Sequence, residues 1–114
     1  MVVSPRLISS RGGQAASGGK VFTIFNNNMH YVYILYSKKV KKLYKGNCSD
    51  LKIRIDNHNS HKVKSTKNGT PWKLIYYQAF ISKTDAIREE IFLKTGKGRE
   101  RIKYLFKNYF ENLK

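Results

Sequence analysis

This sequence predicts a small α+β domain built on a three-stranded sheet flanked by helices, in the order strand, strand, helix, strand, helix, helix. Three observations lead there. Tyr31-Val32-Tyr33-Ile34-Leu35-Tyr36 is a continuous apolar and aromatic run, the composition of a strand buried on both faces. Trp72 to Phe80 is a second such stretch, rich in aromatic and β-branched residues. The segments that follow carry apolar residues at helical spacing behind residue types that cap helices.

Taken in order, residues 1–28 differ in kind from the rest: serine, glycine and alanine with Arg6, Arg11 and Lys20, no acidic residue, and Asn26-Asn27-Asn28. That composition predicts a disordered extension. Arginine and serine without acids is also the composition of a transit segment, and Met29 stands just before the first strand, as it would behind an over-long gene model. The sequence leaves the origin of the extension open and places the folded domain at 29–114.

The first strand turns through Ser37 to Lys42 into a second that ends at Leu43-Tyr44-Lys45-Gly46, which makes a hairpin. Side chains alternate along a strand, so Tyr31, Tyr33 and Leu35 share one face, and Tyr44 and Gly46 share one face of the partner. Glycine there would leave room for a ligand. Ser49 or Asp50 caps a helix running to about His58, with Leu51 and Ile55 toward the sheet and Arg54 and His58, four apart, projecting together beside them. His61 to Asn68 is an exposed basic loop with Lys62, Lys64 and Lys67 and no acid, suited to tracking phosphates.

In the third strand, alternation puts Trp72, Leu74, Tyr76 and Gln78 on one face and Lys73, Ile75, Tyr77 and Ala79 on the other. Ser82 to Asp85 is a capping box by type, so a helix starts at Lys83 and ends near Thr95-Gly96. Ala86, Glu90 and Leu93 fall on one stripe of it, and Glu89 points to solvent. Gly96-Lys97-Gly98 reads as a break. An amphipathic helix from Arg99 to Leu113 follows, with Ile102, Leu105, Phe106, Tyr109, Phe110 and Leu113 along its apolar stripe.

Composition narrows the partner. A chain of 114 residues is one domain at most. Its 23 lysines and arginines against 7 acidic residues give a formal charge of +16, which favours a polyanion, nucleic acid first. No apolar stretch approaches the roughly 20 residues of a spanning helix and no lipidation signal is present, so a membrane partner is set aside. The single Cys48 cannot form an internal disulfide, and no Cys and His cluster has metal-ligand spacing. A zinc finger is thereby excluded, and a reducing, cytoplasmic setting is the expectation.

Tyr31-Val32-Tyr33, ten residues, then Tyr44-Lys45-Gly46 resembles the two signature elements of the GIY-YIG nuclease family. The order continues through Ser49 to Asn59, Thr70 to Tyr77 and Ala86 to Lys94, similar to the small single-domain bacterial branch, and the likeness spans about 29–101. It implies a small, mainly antiparallel sheet flanked by helices. It also implies a metal-dependent endonuclease that hydrolyses DNA phosphodiester bonds in repair or recombination. By the same resemblance Glu90 binds one divalent ion, Mg²⁺ or Mn²⁺, that serves the phosphate and the leaving group. A hard ion that keeps its waters suits a single carboxylate. Arg54 matches the arginine that stabilises the transition state, and its planar fork suits phosphate oxygens. Tyr33 and Tyr44 match the tyrosines that position the water and can take its proton, which for a phenol titrating at about 10 requires a lowered value. His58 is the other candidate base or a phosphate ligand.

Lys62, Lys64, Lys67 and Arg88 are candidate nucleic-acid contacts, no small-molecule cofactor is implied, and DNA is the expected partner with RNA and the oligomeric state left open. Lys45 departs from the β-branched apolar residue usual in the second signature, Tyr31 replaces the first signature glycine, and Cys48 stands where a small hydroxyl residue is expected. Taken singly, the tyrosines read as core, Arg54 and Glu90 as surface charge, and His58 as a helix-end residue favoured by the dipole. A non-cleaving nucleic-acid-binding module with the same fold is the alternative, and only the nuclease requires Glu90 and a divalent ion.

Overall fold

The apolar run of β2 (His30–Ser37) becomes the middle of an antiparallel sheet, with Val32, Tyr33, Ile34 and Leu35 all fully buried, because both of its faces are covered. The computed structural model describes residues 2–3 and 29–113. β3 (Lys42–Cys48) flanks β2 on one side through a tight turn, and β4 (Trp72–Phe80) flanks it on the other. The three predicted strands therefore form the sheet. Val2–Val3, here β1, adds a two-residue strand beside Phe80 and Ala79 at the outer edge of β4. Apart from that pair, the expectation of disorder over 1–28 lies outside the described residues.

The hairpin has the predicted facing. Tyr33 stands opposite Gly46, Leu35 opposite Tyr44 and Tyr31 opposite Cys48, so all six share one face. The third strand does not alternate as its sequence predicts. Pairing slips between Ile34 and Leu35, which stand opposite Tyr76 and Leu74. This bulge at Ile75 moves Tyr77 and Ala79 onto the face of Trp72 and Leu74, and Tyr76 onto the other with Phe80.

Helices cover the two faces unequally. α1 (Leu51–Asn59) is capped by Asp50, whose carboxylate accepts from the Ile53 amide at 3.1 Å, and its Leu51 and Ile55 pack on the tyrosine face. α2 (Lys83–Leu93) starts where predicted, with the Ser82 hydroxyl accepting from the Asp85 amide. On the opposite face Val32, Ile34 and Phe80 pack against Ala86 and Leu93 of α2 and against Ile102 and Phe106 beyond it.

The C-terminal region corrects the predicted break. Thr95 caps α3 (Gly96–Leu105) by accepting from the Gly98 amide, so the two glycines lie inside its first turn. Gly98 is there for contact: a Cβ would sit 2.0 Å from the Phe92 carbonyl oxygen and 2.6 Å from Leu93 Cα. The expected single helix to Leu113 is interrupted at Phe106, after which α4 (Lys107–Asn112) continues. Ile102 and Phe106 are buried and Leu105, Tyr109 and Phe110 pack on the same core, while Leu113 is exposed.

Candidate active site

Four of the five predicted catalytic residues meet on the tyrosine face. The pattern follows from two elements: β2 and β3 place Tyr33 and Tyr44 in adjacent positions, and one turn of α1 places Arg54 and His58 above them. The Arg54 Nε–H donates to Tyr33 Oη at 3.1 Å, and Tyr33 Oη lies 2.8 Å from His58 Nε2. The Tyr44 ring meets the His58 ring edge-on with centroids 4.8 Å apart and stands 6.2 Å from that of Tyr33.

The protons of this network can be assigned. Burial, with the Arg54 charge adding to it, lowers His58 to a pKa of about 4, so the imidazole is neutral at pH 7. Its Nδ1 lies 2.7 Å from Thr66 Oγ1, and the Thr66 hydroxyl is placed to donate to the Val63 carbonyl at 3.4 Å. One arrangement satisfies every group: Tyr33 O–H donates to His58 Nε2, His58 Nδ1–H donates to Thr66, and Thr66 O–H donates onward. Tyr33 thus accepts from arginine and donates to histidine.

Burial pushes Tyr33 up to about 12 despite the opposing pull of Arg54. Buried and raised in this way, the Tyr33 phenol is protonated at pH 7, and its oxygen holds the Arg54 Nε–H in place. The hydrogen bond from its fork to Tyr33 raises Arg54 further above its ordinary value, so the guanidinium stays charged. Tyr44 is half-buried and within reach of the same guanidinium. It is the phenol of the pair that solvent can approach.

Gly46 does not open space for a ligand, as its sequence context suggested. The Tyr33 ring fills that space: a Cβ on Gly46 would lie 2.5 Å from Tyr33 Oη. The glycine is needed so that the phenol can lie flat across β3 and reach His58.

Glu90 is held elsewhere, on the other side of β3. One carboxylate oxygen accepts from the Asn47 side chain and the other is 2.6 Å from Lys94 Nζ. Asn47 follows Gly46 in sequence and faces away from it, so the carboxylate lies across β3 from the tyrosine network. No group of three His, Cys, Asp or Glu side chains among the described residues could hold a metal ion. A single carboxylate beside a neutral amide nevertheless fits a hard divalent ion that keeps waters, once the half-exposed Lys94 swings away.

Glu89, expected in solvent, is half-buried and its carboxyl is raised by desolvation, which Arg101 partly offsets. Lys62, Lys64 and Lys67 are exposed as predicted, on a loop anchored by buried Thr66 and by the Trp72 indole donating to the Thr66 carbonyl at 2.7 Å. Arg88 is exposed but pairs with Asp85 at 2.9 Å. Thr66, Asn47 and Lys94 were missed by sequence reasoning. Of these, Lys94 alone carried a signal, its i+4 spacing from Glu90.

The paired tyrosines and the arginine beside them stand on the strand–helix frame that the two signature elements imply. Residues 29–104 match the model of the GIY-YIG catalytic domain, and the chain belongs to the GIY-YIG nuclease family. Its relatives include a UPF0213 protein of Staphylococcus haemolyticus, 38% identical over 67% of this chain and 93% of its own length. A UPF0213 protein of Streptococcus pneumoniae is 37% identical over 73% of this chain and 84% of its own. The solution NMR structure of a UPF0213 protein from Bacillus halodurans is 35% identical, covering 75% of this chain and 93% of that one, at a TM-score of 0.45.

Proposed function

We propose that this protein is a metal-dependent endonuclease that hydrolyses DNA phosphodiester bonds. The observation that carries the reading is the contact of Arg54 with Tyr33 and Tyr44 above a neutral His58, within a GIY-YIG domain. Arg54 receives the non-bridging oxygens of the scissile phosphate and offsets the charge that grows on them. Its Nε–H goes to buried Tyr33, which fixes its direction, and the fork, with Tyr44 beside it, keeps further N–H donors for phosphate. Tyr44, open to solvent on the same face, orients the attacking water. His58 and Thr66 hold Tyr33 in place. Glu90 would hold a divalent ion, which supplies charge for the phosphate and the departing 3′ oxygen.

A second reading has its own support. Both Glu90 oxygens are engaged, by Asn47 and Lys94, as in a binding module that does not cut. Labelled duplex, single-stranded, flap and branched DNAs, with an RNA counterpart, separate the two. The nuclease reading expects Mg²⁺- or Mn²⁺-dependent products that vanish with EDTA, with Glu90→Ala and with Arg54→Ala, while binding persists. Folded wild type that binds but yields no product with either ion sinks it. A role in repair or recombination would show as preference for flap or branched substrates.

A further inference from the structure

The face of β3 turned away from the tyrosines carries a feature that the proposed chemistry does not use. Between β3 and α3 lies a cleft of about 450 Å³ with a floor that includes Leu43 and Ile102. Four cations stand on its walls: Lys42 and Lys45 from β3, Arg99 and Lys103 from α3. Among the described residues no acidic side chain lines it.

Lys45 occupies the centre of the second signature, on the strand face that pairs with Ile34 and the helical core. Burial, then the nearby Arg99 and Lys94 charges, lowers its pKa. Both of these cations act on Lys45 as repelling charges, Arg99 more than Lys94, and Lys94 is also paired with the Glu90 carboxylate. Cations gathered on an apolar floor repel one another, and an anion placed among them relieves that repulsion. Arg99 sits in the first turn of α3, where the helix dipole adds to the repulsion and favours an anion in the same place.

We propose that this cleft is a second phosphate-binding site, which takes a backbone phosphate of the nucleic acid outside the tyrosine face. The backbone source rests on the nucleic-acid reading above. The substrate strand then crosses the open edge of β3, with Arg54 on one side and Lys45, Arg99 and Lys103 on the other. Glu90, bound to Asn47 on that same strand, lies beside the crossing. Lys45, out of place as a core residue, is explained as a ligand.

The test is binding of a labelled duplex to the full chain in EDTA, by anisotropy across a salt series. Arg99→Gln/Lys103→Gln, both at exposed positions, is compared with Lys52→Gln/Lys83→Gln, which removes the same charge from exposed positions on elements that do not line the cleft. Each phosphate that is no longer neutralised lowers the log–log salt slope by about 0.9. The cleft variant is expected to lose about 1 to 2 from the slope and the control less than half of that. Equal slopes for the two variants overturn the proposal.

Amide shifts of Lys45, Arg99 and Lys103 on adding duplex or inorganic phosphate identify the source. Shifts with duplex support a backbone site. Shifts with phosphate alone overturn that source in favour of a small anion. Because binding is read without metal, failure here leaves the cleavage assay intact, and failure of cleavage leaves this site standing.

Discussion

Tyr33 and Tyr44 are alike in sequence and unlike in place, and their phenylalanine variants separate them. Tyr33→Phe strips the buried His58 Nε2 of its donor and Arg54 of its acceptor. Leaving a buried polar group unpaired costs about 1–3 kcal/mol, so a fall of that size in urea-derived stability is expected together with lost cleavage. Tyr44→Phe, at a half-buried position, is expected to leave stability within about 0.5 kcal/mol while cleavage drops roughly 10²-fold or more in single-turnover assays. Equal stability losses would remove the distinction between the positioning phenol and the water-facing one.

His58 gives the same network a pH signature. Its pKa is about 4 folded against an ordinary 6.5, so between those values the unfolded chain binds the extra proton. The stability tied to its neutral form is therefore complete above about 6.5 and is lost as pH falls toward 4, on the order of 3 kcal/mol in all. Glu89, raised by burial, contributes the opposite slope at the acid end. The measurement is thus a difference between wild type and His58→Gln in urea melts from pH 4 to 7.5. A difference that does not change with pH would show that folding leaves the His58 pKa where it is in the unfolded chain.

At the scale of elements, what could be read in advance was whatever depends on neighbours in sequence. Caps at Asp50 and Ser82, the apolar run of β2 and the shared side of Arg54 and His58 are local patterns, and each lies where the pattern puts it. The bulge at Ile75 depends on how β4 is pulled against β2, and alternation alone cannot signal it. Thr66 and Asn47 were invisible for a similar reason: a loop hydroxyl and an edge-strand amide acquire roles only from partners 8 and 43 residues away.

Gly96-Lys97-Gly98 looked like a break because glycine is a poor helix former, yet Gly98 answers to the approach of α2. Gly98→Ala forces a methyl into backbone that cannot yield, and a loss of about 3 kcal/mol or more is expected from the urea midpoint. Gly96→Ala, with nothing within 4 Å, should be neutral or stabilising.

For the whole molecule, +16 on 114 residues sets the response to salt. If six to ten phosphates are neutralised, duplex affinity falls by about 10³ to 10⁵ between 50 and 200 mM salt. Anisotropy titrations at three salt concentrations check this. A tenfold change or less would mean that most of the charge faces solvent in the complex. No helix among the described residues is long and apolar enough to cross a membrane, so the charge has no adjoining spanning segment there.

β3 serves two masters, with Tyr44 and Gly46 on one face and Lys45 and Asn47 on the other. Its function therefore depends on parity. One residue gained or lost inside the strand would exchange the faces, turning the phenol toward α2 and the lysine toward Arg54. An even change would preserve the sides and only shift the ladder, and added length in the turn at 38–41 would leave both untouched. The hairpin is tolerant of length at its tip and intolerant of odd numbers along its arm.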